Sequence, residues 1–384
     1  MVWIRFLTLW LLGTVSVYAS DTVRVCSYNL LKFSQSNEAG RVPLFARILD
    51  SIRPDIVVCS EVSDATAGPR FVSEVMTWAP FAATPYYDGP DTEIMVLYNQ
   101  ERLRLVTTRR IPTELRDIFE TTLEHLNAQG VPDDTLVVYG LHLKASSSTS
   151  DEQQRAREMN VLASRMTTKR HVIVAGDYNV YRPDEPALQA LIGPSAARRF
   201  IDPLGTNWRR NDAAFASYYT QCTRVTTISG CGGGVDGGID DRFDFILPSS
   251  ELAPRVLTST YTAFGNDGTI RFNKSINEPP NQKVSAAIAD ALLCASDHLP
   301  IYVDLVLGDN PASVNDARGT LWWTCDGHTI SVAPGTPDVN VYTSQGRHVA
   351  YLPTSATLQR IDDLPTGMYI LQQSTQNARA VIVQ

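Results

Sequence analysis

The run HVIVAGDYN, residues 171–179, decides the fold. Its first five residues, His171 to Ala175, read as a short apolar strand. The run is continuous rather than alternating, which is the pattern of a strand buried on both faces. Asp177 and Asn179 stand just past its end, and in layered α/β proteins ligands bind beyond the ends of such strands. The pattern repeats along the chain: Asn29 follows the strand Val23–Tyr28, Glu61 follows Ile56–Ser60, and His142 ends Leu136–Leu141. Asp297 and His298 precede the strand Ile301–Leu307. Asp244 lies inside Phe243–Leu247, where a carboxylate costs free energy unless it is paired. An imidazole is its natural partner, and His298 is the candidate.

Helices separate these strands. Leu44, Ile48, Leu49 and Ile52 recur at helical spacing, and Pro54 stops that helix. Further on, Ser150 and Gln153 have the spacing of a capping box. Ala156, Met159, Leu162, Ala163 and Met166 then form one apolar stripe. The segment Ile228–Asp241 is rich in glycine and reads as a loop.

The chain has 384 residues, which at ~150 per domain predicts two domains. Hydrophobic residues make up 43% and charged residues 19%, a globular mix. The formal net charge of -8 excludes a chain-wide basic footprint for nucleic acid. Six cysteines are too few for a disulfide scaffold in a chain this long. Residues 1–19 read as a secretory signal peptide. Arg5 is their only charge, Phe6 to Leu12 are apolar, and the cut falls between Ala19 and Ser20. No later stretch is long and apolar enough to cross a bilayer. The composition changes around residue 310, so the expected units are 20–309 and 310–384. The second predicts short strands at even spacing, Thr329–Val332, Val339–Tyr342, His348–Leu352, Leu358–Ile361, Met368–Gln373 and Ala378–Val383, in a small antiparallel sandwich.

Taken singly, each polar residue has a plain reading. Asn29 forms a turn, Glu61 opens a helix, His142 is structural, Asp177 and Asn179 make an ordinary loop, and Asp297 caps a helix. Taken together they read differently. SYNLL (27–31), SEV (60–62), GLHLKAS (140–146), AGDYN (175–179), RFDFIL (242–247) and SDHLPI (296–301) occur in one order. Over residues 22–307 this set resembles the endonuclease/exonuclease/phosphatase superfamily, with the DNase-I-like fold. The resemblance implies a four-layer α/β sandwich, two packed mixed sheets flanked by helices. It implies that Glu61 is the main ligand of a divalent metal, with Asn29 and Asp297 near it. His298 is then the general base or the group that stabilises the pentacovalent phosphate, oriented by Asp244. Asp177 orients or activates water, Asn179 binds phosphate, and His142 donates to a phosphate oxygen. In the DNA-repair branch the place of His142 is often Asn, so its histidine looks more like the secreted DNase, phosphodiesterase and phosphatase branches.

The chemistry fits on its own terms. Phosphate ester hydrolysis needs a hard cation and a positioned water, and oxygen ligands suit Mg²⁺, with Mn²⁺ or Ca²⁺ as alternatives. No Cys/His set has zinc-ligand spacing. A nucleic-acid backbone needs cations along a groove. Arg102, Arg104, Arg109 and Arg110 form one cluster, Arg198, Arg199, Arg209 and Arg210 another, and Lys144 stands beside His142. Tyr218 and Tyr219 are candidates to stack on substrate. The loop from Gly230 to Gly238 is a candidate mobile lip; without a following Lys-Ser/Thr it is no P-loop.

Cys222 and Cys231 bracket a short loop and are a candidate disulfide. Cys26 and Cys59, on neighbouring strands, are either bonded or free thiols; Cys294 and Cys325 have no obvious partner. VNVYTSQGRHVAYL (339–352), LQRIDDLPTGMYIL (358–371) and RAVIVQ (379–384) resemble the type IX secretion sorting domain of Bacteroidota, apart from ending on Gln384 rather than a basic residue. That implies the type IX machinery as partner, export through periplasm and outer membrane, and a secreted or cell-surface protein. An immunoglobulin-like binding module is the alternative for these residues. The expectation is a monomeric extracellular nuclease acting on DNA or RNA. A lipid or small-molecule phosphodiesterase or phosphatase, sphingomyelinase-like, comes second, and a non-catalytic surface adhesin third.

Overall fold

The computed structural model describes residues 21–33 and 40–308, together with the strands and short connections between 323 and 383. The signal peptide and the boundary near residue 310 lie outside the described residues. The strands and helices of the larger unit are β1 (Asp21–Phe33), α1 (Val42–Ile52), β2 (Ile56–Val62), α2 (Ala67–Arg70), β3 (Phe81–Ala83), β4 (Glu93–Asn99), β5 (Leu103–Ile111), β6 (Ile118–Leu126), β7 (Pro132–His142), α3 (Thr149–Arg165), β8 (Val172–Asp177), α4 (Pro186–Ile192), β9 (Asp244–Pro248), β10 (Val256–Ala263), α5 (Ala286–Ala295) and β11 (Ile301–Leu307). Six strands form one sheet in the order β10-β11-β1-β2-β4-β3, and five form another in the order β5-β6-β7-β8-β9. The pairs β1/β2 and β7/β8 are parallel and the rest antiparallel, so both sheets are mixed.

Four layers follow from where the apolar side chains go. Val25, Val58, Val96, Leu123, Val138, Ile173, Ile246 and Val303 fill the space between the sheets. On the six-stranded sheet's other face, Cys26, Tyr28, Val57 and Leu97 pack with Phe45 and Leu49 of α1 and Leu292 of α5. Val137, Tyr139, Val172 and Val174 face Met159 and Leu162 of α3 and Leu188 of α4. Strands buried on both faces carry apolar residues at every position, which makes Ile56–Ser60 and Val172–Ala175 continuous runs.

Five strands of the larger unit, β3, β4, β5, β6 and β10, have no counterpart in the sequence reading. β5 shows why. Leu103 and Ile111 are buried while Arg104, Arg109 and Arg110 are exposed, so a half-solvated antiparallel strand reads as a basic cluster. Helix α3 starts two residues earlier than the expected box. Ser148 is its N-cap, accepting from Asp151 N while Asp151 accepts from Ser148 N. Its buried face is also rotated, running through Arg155, Glu158, Met159 and Leu162. Arg155 belongs there because it forms a buried pair with Glu185.

The cysteines also differ. Cys231 bonds Cys294, with Cα atoms 4.4 Å apart, and Cys222 is a free buried thiol. The loop after Cys222 runs across to the end of α5 instead of closing on itself, and Cys222 Sγ donates to Gly238 O at 3.4 Å. Cys26 and Cys59 are free buried thiols; the side chain of Cys325 lies outside the described residues.

The smaller unit has β12 (Trp323–Asp326), β13 (Thr329–Val332), β14 (Val339–Thr343), β15 (His348–Leu352), β16 (Gln359–Ile361), β17 (Gly367–Gln373) and β18 (Arg379–Val383). They form a sheet β12-β13-β16 and a sheet β15-β14-β17-β18. Ile330 and Val332 of the first pack with Val339, Val341 and Leu371 of the second, a small sandwich core.

Candidate active site

Parallel strands end, and their antiparallel neighbours begin, at the same edge of each sheet. Asn29, Glu61, His142 and Asp177 therefore meet Asp244 and the residues before β11 at one end of the sandwich. Local backbone aims them. Between Asn29 and Phe33 the register of β1 against β2 slips, and Leu31, Lys32 and Glu61 take the left-handed conformation, with φ of 49°, 49° and 58°. That conformation is costly for residues other than glycine. Here it turns Lys32 N toward Glu61, which accepts from it at 3.0 Å.

Asn29 is the hinge of the cluster. Its Nδ2 donates to Glu61 Oε1 and to Asp177 Oδ2, both at 3.1 Å, and its Oδ1 accepts from Leu31 N. Asp177 Oδ2 also lies 3.5 Å from His142 Nε2 and 3.6 Å from His298 Nε2. His298 Nδ1 is 2.7 Å from Asp244 Oδ2, the pairing its sequence neighbours called for. The side-chain amide of Gln221 sits 2.6 Å from His298 Nε2. Asn179, also left-handed, donates its N–H to Asp177 Oδ1 and its side-chain amide to Leu143 O. Asp297 accepts from Val235 N at 2.9 Å. Asn29, His142, Asp177, Asn179, Asp244, Asp297 and His298 are buried, and Glu61 and Gln221 are partly exposed.

Burial and charge set the protonation states. Burial, with the carboxylates of Asp244 and Glu61, pushes Asp177 up to about 7 against the pull of His298. Burial draws His298 down, but Asp244 and Asp177 outweigh it and leave its pKa well above the ordinary histidine value. His142 is driven well below that value by burial and by Arg116 and His298. The site so holds a protonated imidazole beside a neutral one. Among the described residues, Asp244 Oδ1, Asp297 Oδ1 and His142 Nδ1 have no hydrogen-bond partner.

The three residues expected to touch substrate all have partners within the protein. Lys144 Nζ turns to Ala145 O and Asp151, away from His142. Tyr219 is wholly buried, its hydroxyl donating to the carbonyls of Arg209 and Asp212, so it cannot stack on substrate. Tyr218 packs on the guanidinium of Arg242, which is paired with Asp202. Most arginines of the two basic clusters are engaged as well, while Arg199 and Arg209 are exposed. Arg102 pairs with Asp55 ahead of β2, and Arg104, Arg109 and Arg110 of β5 pair with Glu124, Glu120 and Asp117. Arg198 caps the carbonyls of Thr167 and Arg170, and Arg210 pairs with Asp241. The glycine loop is no free lip. Gly237 N and Gly238 N donate to Arg224 O, and the disulfide ties the loop to α5.

Three residues in or beside the site escaped the sequence reading: Gln221, on His298, together with Arg41 and Glu93. Arg41 is buried and donates to the carbonyls of Leu30, Leu31 and Ala295, joining the β1 irregularity to the segment before Asp297. Nothing in the sequence marks it. Glu93 opens β4 opposite Val62, is buried, and has a pKa raised to about 7 by burial. A carboxylate heading the apolar run Ile94–Tyr98 was a usable signal, the same one that singled out Asp244.

No protein-family model and no curated protein matches this sequence. The structure is similar to that of truncated TDP2 from Caenorhabditis elegans, at 17% identity over 74% of this chain and 98% of that one, with a TM-score of 0.48. It is similar to the human nocturnin catalytic domain with bound sulfate, at 19% identity over 74% and 93%, TM-score 0.44. It is similar also to an endonuclease/exonuclease/phosphatase from Beutenbergia cavernae, at 16% identity over 94% and 100%, TM-score 0.45.

Proposed function

We propose that this chain is a divalent-metal-dependent phosphoesterase of the endonuclease/exonuclease/phosphatase superfamily. One observation carries the reading: Asp177 Oδ2 stands within 3.6 Å of both His142 and His298 and is joined through Asn29 to Glu61. The donors around Asn29 are hard oxygens, which fits Mg²⁺. Among the described residues no three His, Cys, Asp or Glu form a closed metal cage. Mg²⁺ is commonly held by one or two carboxylates, with water and substrate phosphate completing the shell. Glu61 would hold it, with Asn29 and Asp177 beside it. A bound Mg²⁺ supplies neutralisation of phosphoryl charge. His298, protonated and fixed by Asp244, donates toward a phosphoryl oxygen as charge grows there. Asp177, with its pKa near neutrality, takes the proton of the attacking water. Neutral His142 donates from Nε2, and Asn179 holds Asp177 in place.

The first substrate to test is nucleic acid. Most arginines of the two clusters are paired within the protein, so its support is the phosphodiester chemistry of the site. One observation favours an amphiphilic or small phosphodiester instead. A largely apolar cavity of about 550 Å³, lined by Val62, Phe81, Ala83, Tyr86 and Met95, begins one residue beyond Glu61. We propose export as well. The Cys231–Cys294 bond suits an oxidising compartment, and the C-terminal sandwich suits the sorting-domain reading. The decisive experiment incubates the full chain with plasmid DNA, RNA, sphingomyelin vesicles and bis(4-nitrophenyl) phosphate, with Mg²⁺ or with chelator. Metal-dependent cleavage of any one supports the phosphoesterase, and which one is cleaved names the substrate. No cleavage with Mg²⁺, Mn²⁺ or Ca²⁺ ends the reading. Retention of the protein inside the cell in a type IX-competent host ends the export proposal.

A further inference from the structure

Asp297 and His298 hang from the end of α5. Ser296 Oγ donates to Asn29 O at 2.6 Å and accepts from His298 N at 3.1 Å, which sets the direction of the turn. Asp297 then passes under the glycine loop. Its backbone carbonyl accepts from Thr223 N, and Oδ2 accepts from Val235 N. A Cβ added to Gly234 would stand 2.7 Å from that same oxygen. The loop therefore shapes the space that the Asp297 carboxylate occupies. Little apolar burial holds the loop, since residues 232–237 are exposed. Its base is pinned by Gly237 N and Gly238 N on Arg224 O and by Arg224 Nη1 on Cys231 O. Its far end is pinned covalently, through Cys231 to Cys294 in the last turn of α5, three residues before Asp297.

We propose that the Cys231–Cys294 disulfide and the loop it anchors position the Asp297–His298 pair, so that phosphoester turnover requires the bond. The proposal rests on the function assigned above. A dithiol breaks the bond in two exchange steps. The two sulfurs take up two electrons and two protons to become thiols, and the dithiol becomes a cyclic disulfide. The loop then loses its tie to α5, and Val235 no longer fixes Asp297. Cys231 and Cys294 touch no reacting atom; they are positioning residues.

The test uses the full chain, oxidised, on bis(4-nitrophenyl) phosphate with Mg²⁺, before and after dithiothreitol, with thiol counting and circular dichroism on each sample. The expected result is a kcat lower by about 10²-fold, the usual cost of misplacing a reacting group. KM is unchanged, the fold is retained, and activity returns on reoxidation. Cys231→Ser/Cys294→Ser should be slow and indifferent to dithiol. Gly234→Ala, which keeps the disulfide, should also lower kcat. Full turnover in a sample shown to be reduced overturns the proposal, as does full turnover in Gly234→Ala. If the oxidised protein turns over no substrate with any divalent ion, the functional reading fails instead. Positioning is then judged by the His298 imidazole resonances, which must shift on reduction; unmoved resonances overturn it.

Discussion

Two buried charged clusters lie close together in the larger unit, and they are built on opposite principles. In the first, Arg155 and Glu185 are each 1% exposed. Arg155 gives Nε and Nη2 to Glu185 and Nη1 to the carbonyls of Lys144 and Ser146, while Glu185 also accepts from Tyr181 N. Charge is balanced and no donor or acceptor is left over. In the second, Asp177, Asp244, Asp297 and Glu61 gather around two histidines, of which one is charged. Asp244 Oδ1, Asp297 Oδ1 and His142 Nδ1 are left over. A satisfied pair fastens a loop to a helix. An unbalanced set with spare acceptors stores unfavourable electrostatics that a cation and a phosphate can relieve, and perturbed groups of this kind mark functional sites.

The contrast is sharpest in the largest effects. His298→Ala should lower the turnover of the folded fraction by ~10²–10⁴-fold, the range for loss of a proton-transfer group. Glu185→Ala should act on stability instead. Stranding Arg155 in the interior costs ~3–5 kcal/mol, so chemical denaturation should shift strongly while the folded fraction keeps its specific activity. A comparable loss of specific activity in the folded fraction of both variants would erase the distinction.

A middling effect concerns pH. Asp177 and Glu93 are raised to about 7 in the folded protein, against about 4 in an unfolded chain. Between those values the folded state keeps protons that the unfolded state has lost, so stability of the cation-free protein falls as pH rises from about 4 to about 7. His298, also raised, adds loss in the same direction at higher pH, while His142, lowered, opposes the decline below the ordinary histidine value without cancelling the two carboxyls. Thermal melts across this range should show the decline, Asp177→Asn should flatten it, and Mg²⁺ should stabilise more at pH 8 than at pH 5. Melts that rise with pH would contradict the electrostatic account of the site. The smallest effect is expected at Lys144, whose ammonium faces Asp151. Lys144→Ala should leave turnover as it was, and a clear loss would return Lys144 to the substrate path.

The parts legible in the sequence share a cause. Residues at strand ends were found because the apolar run and the polar residue after it are adjacent in the chain. Asp244 was found because a carboxylate within such a run is anomalous by itself. The parts missed depend on neighbours distant in sequence. Tyr218 and Tyr219 look alike side by side, yet one is buried with its hydroxyl on two carbonyls. Cys231 sits nine residues from Cys222 and bonds Cys294, sixty-three residues away. Arg104, Arg109 and Arg110 look like a phosphate groove until β6 and the residue before it supply an acid to each.

Alone, the chain's order of residues determined the layered α/β class, the small β unit behind it, and the identity of the polar side chains at one end of the strands. Local chemistry suffices for that, since burial on two faces demands continuous apolar runs. Only the tertiary structure decided which charges are neutralised, which histidine carries a proton and which cysteines join. Those outcomes depend on distances of a few ångströms between segments that the chain itself keeps far apart.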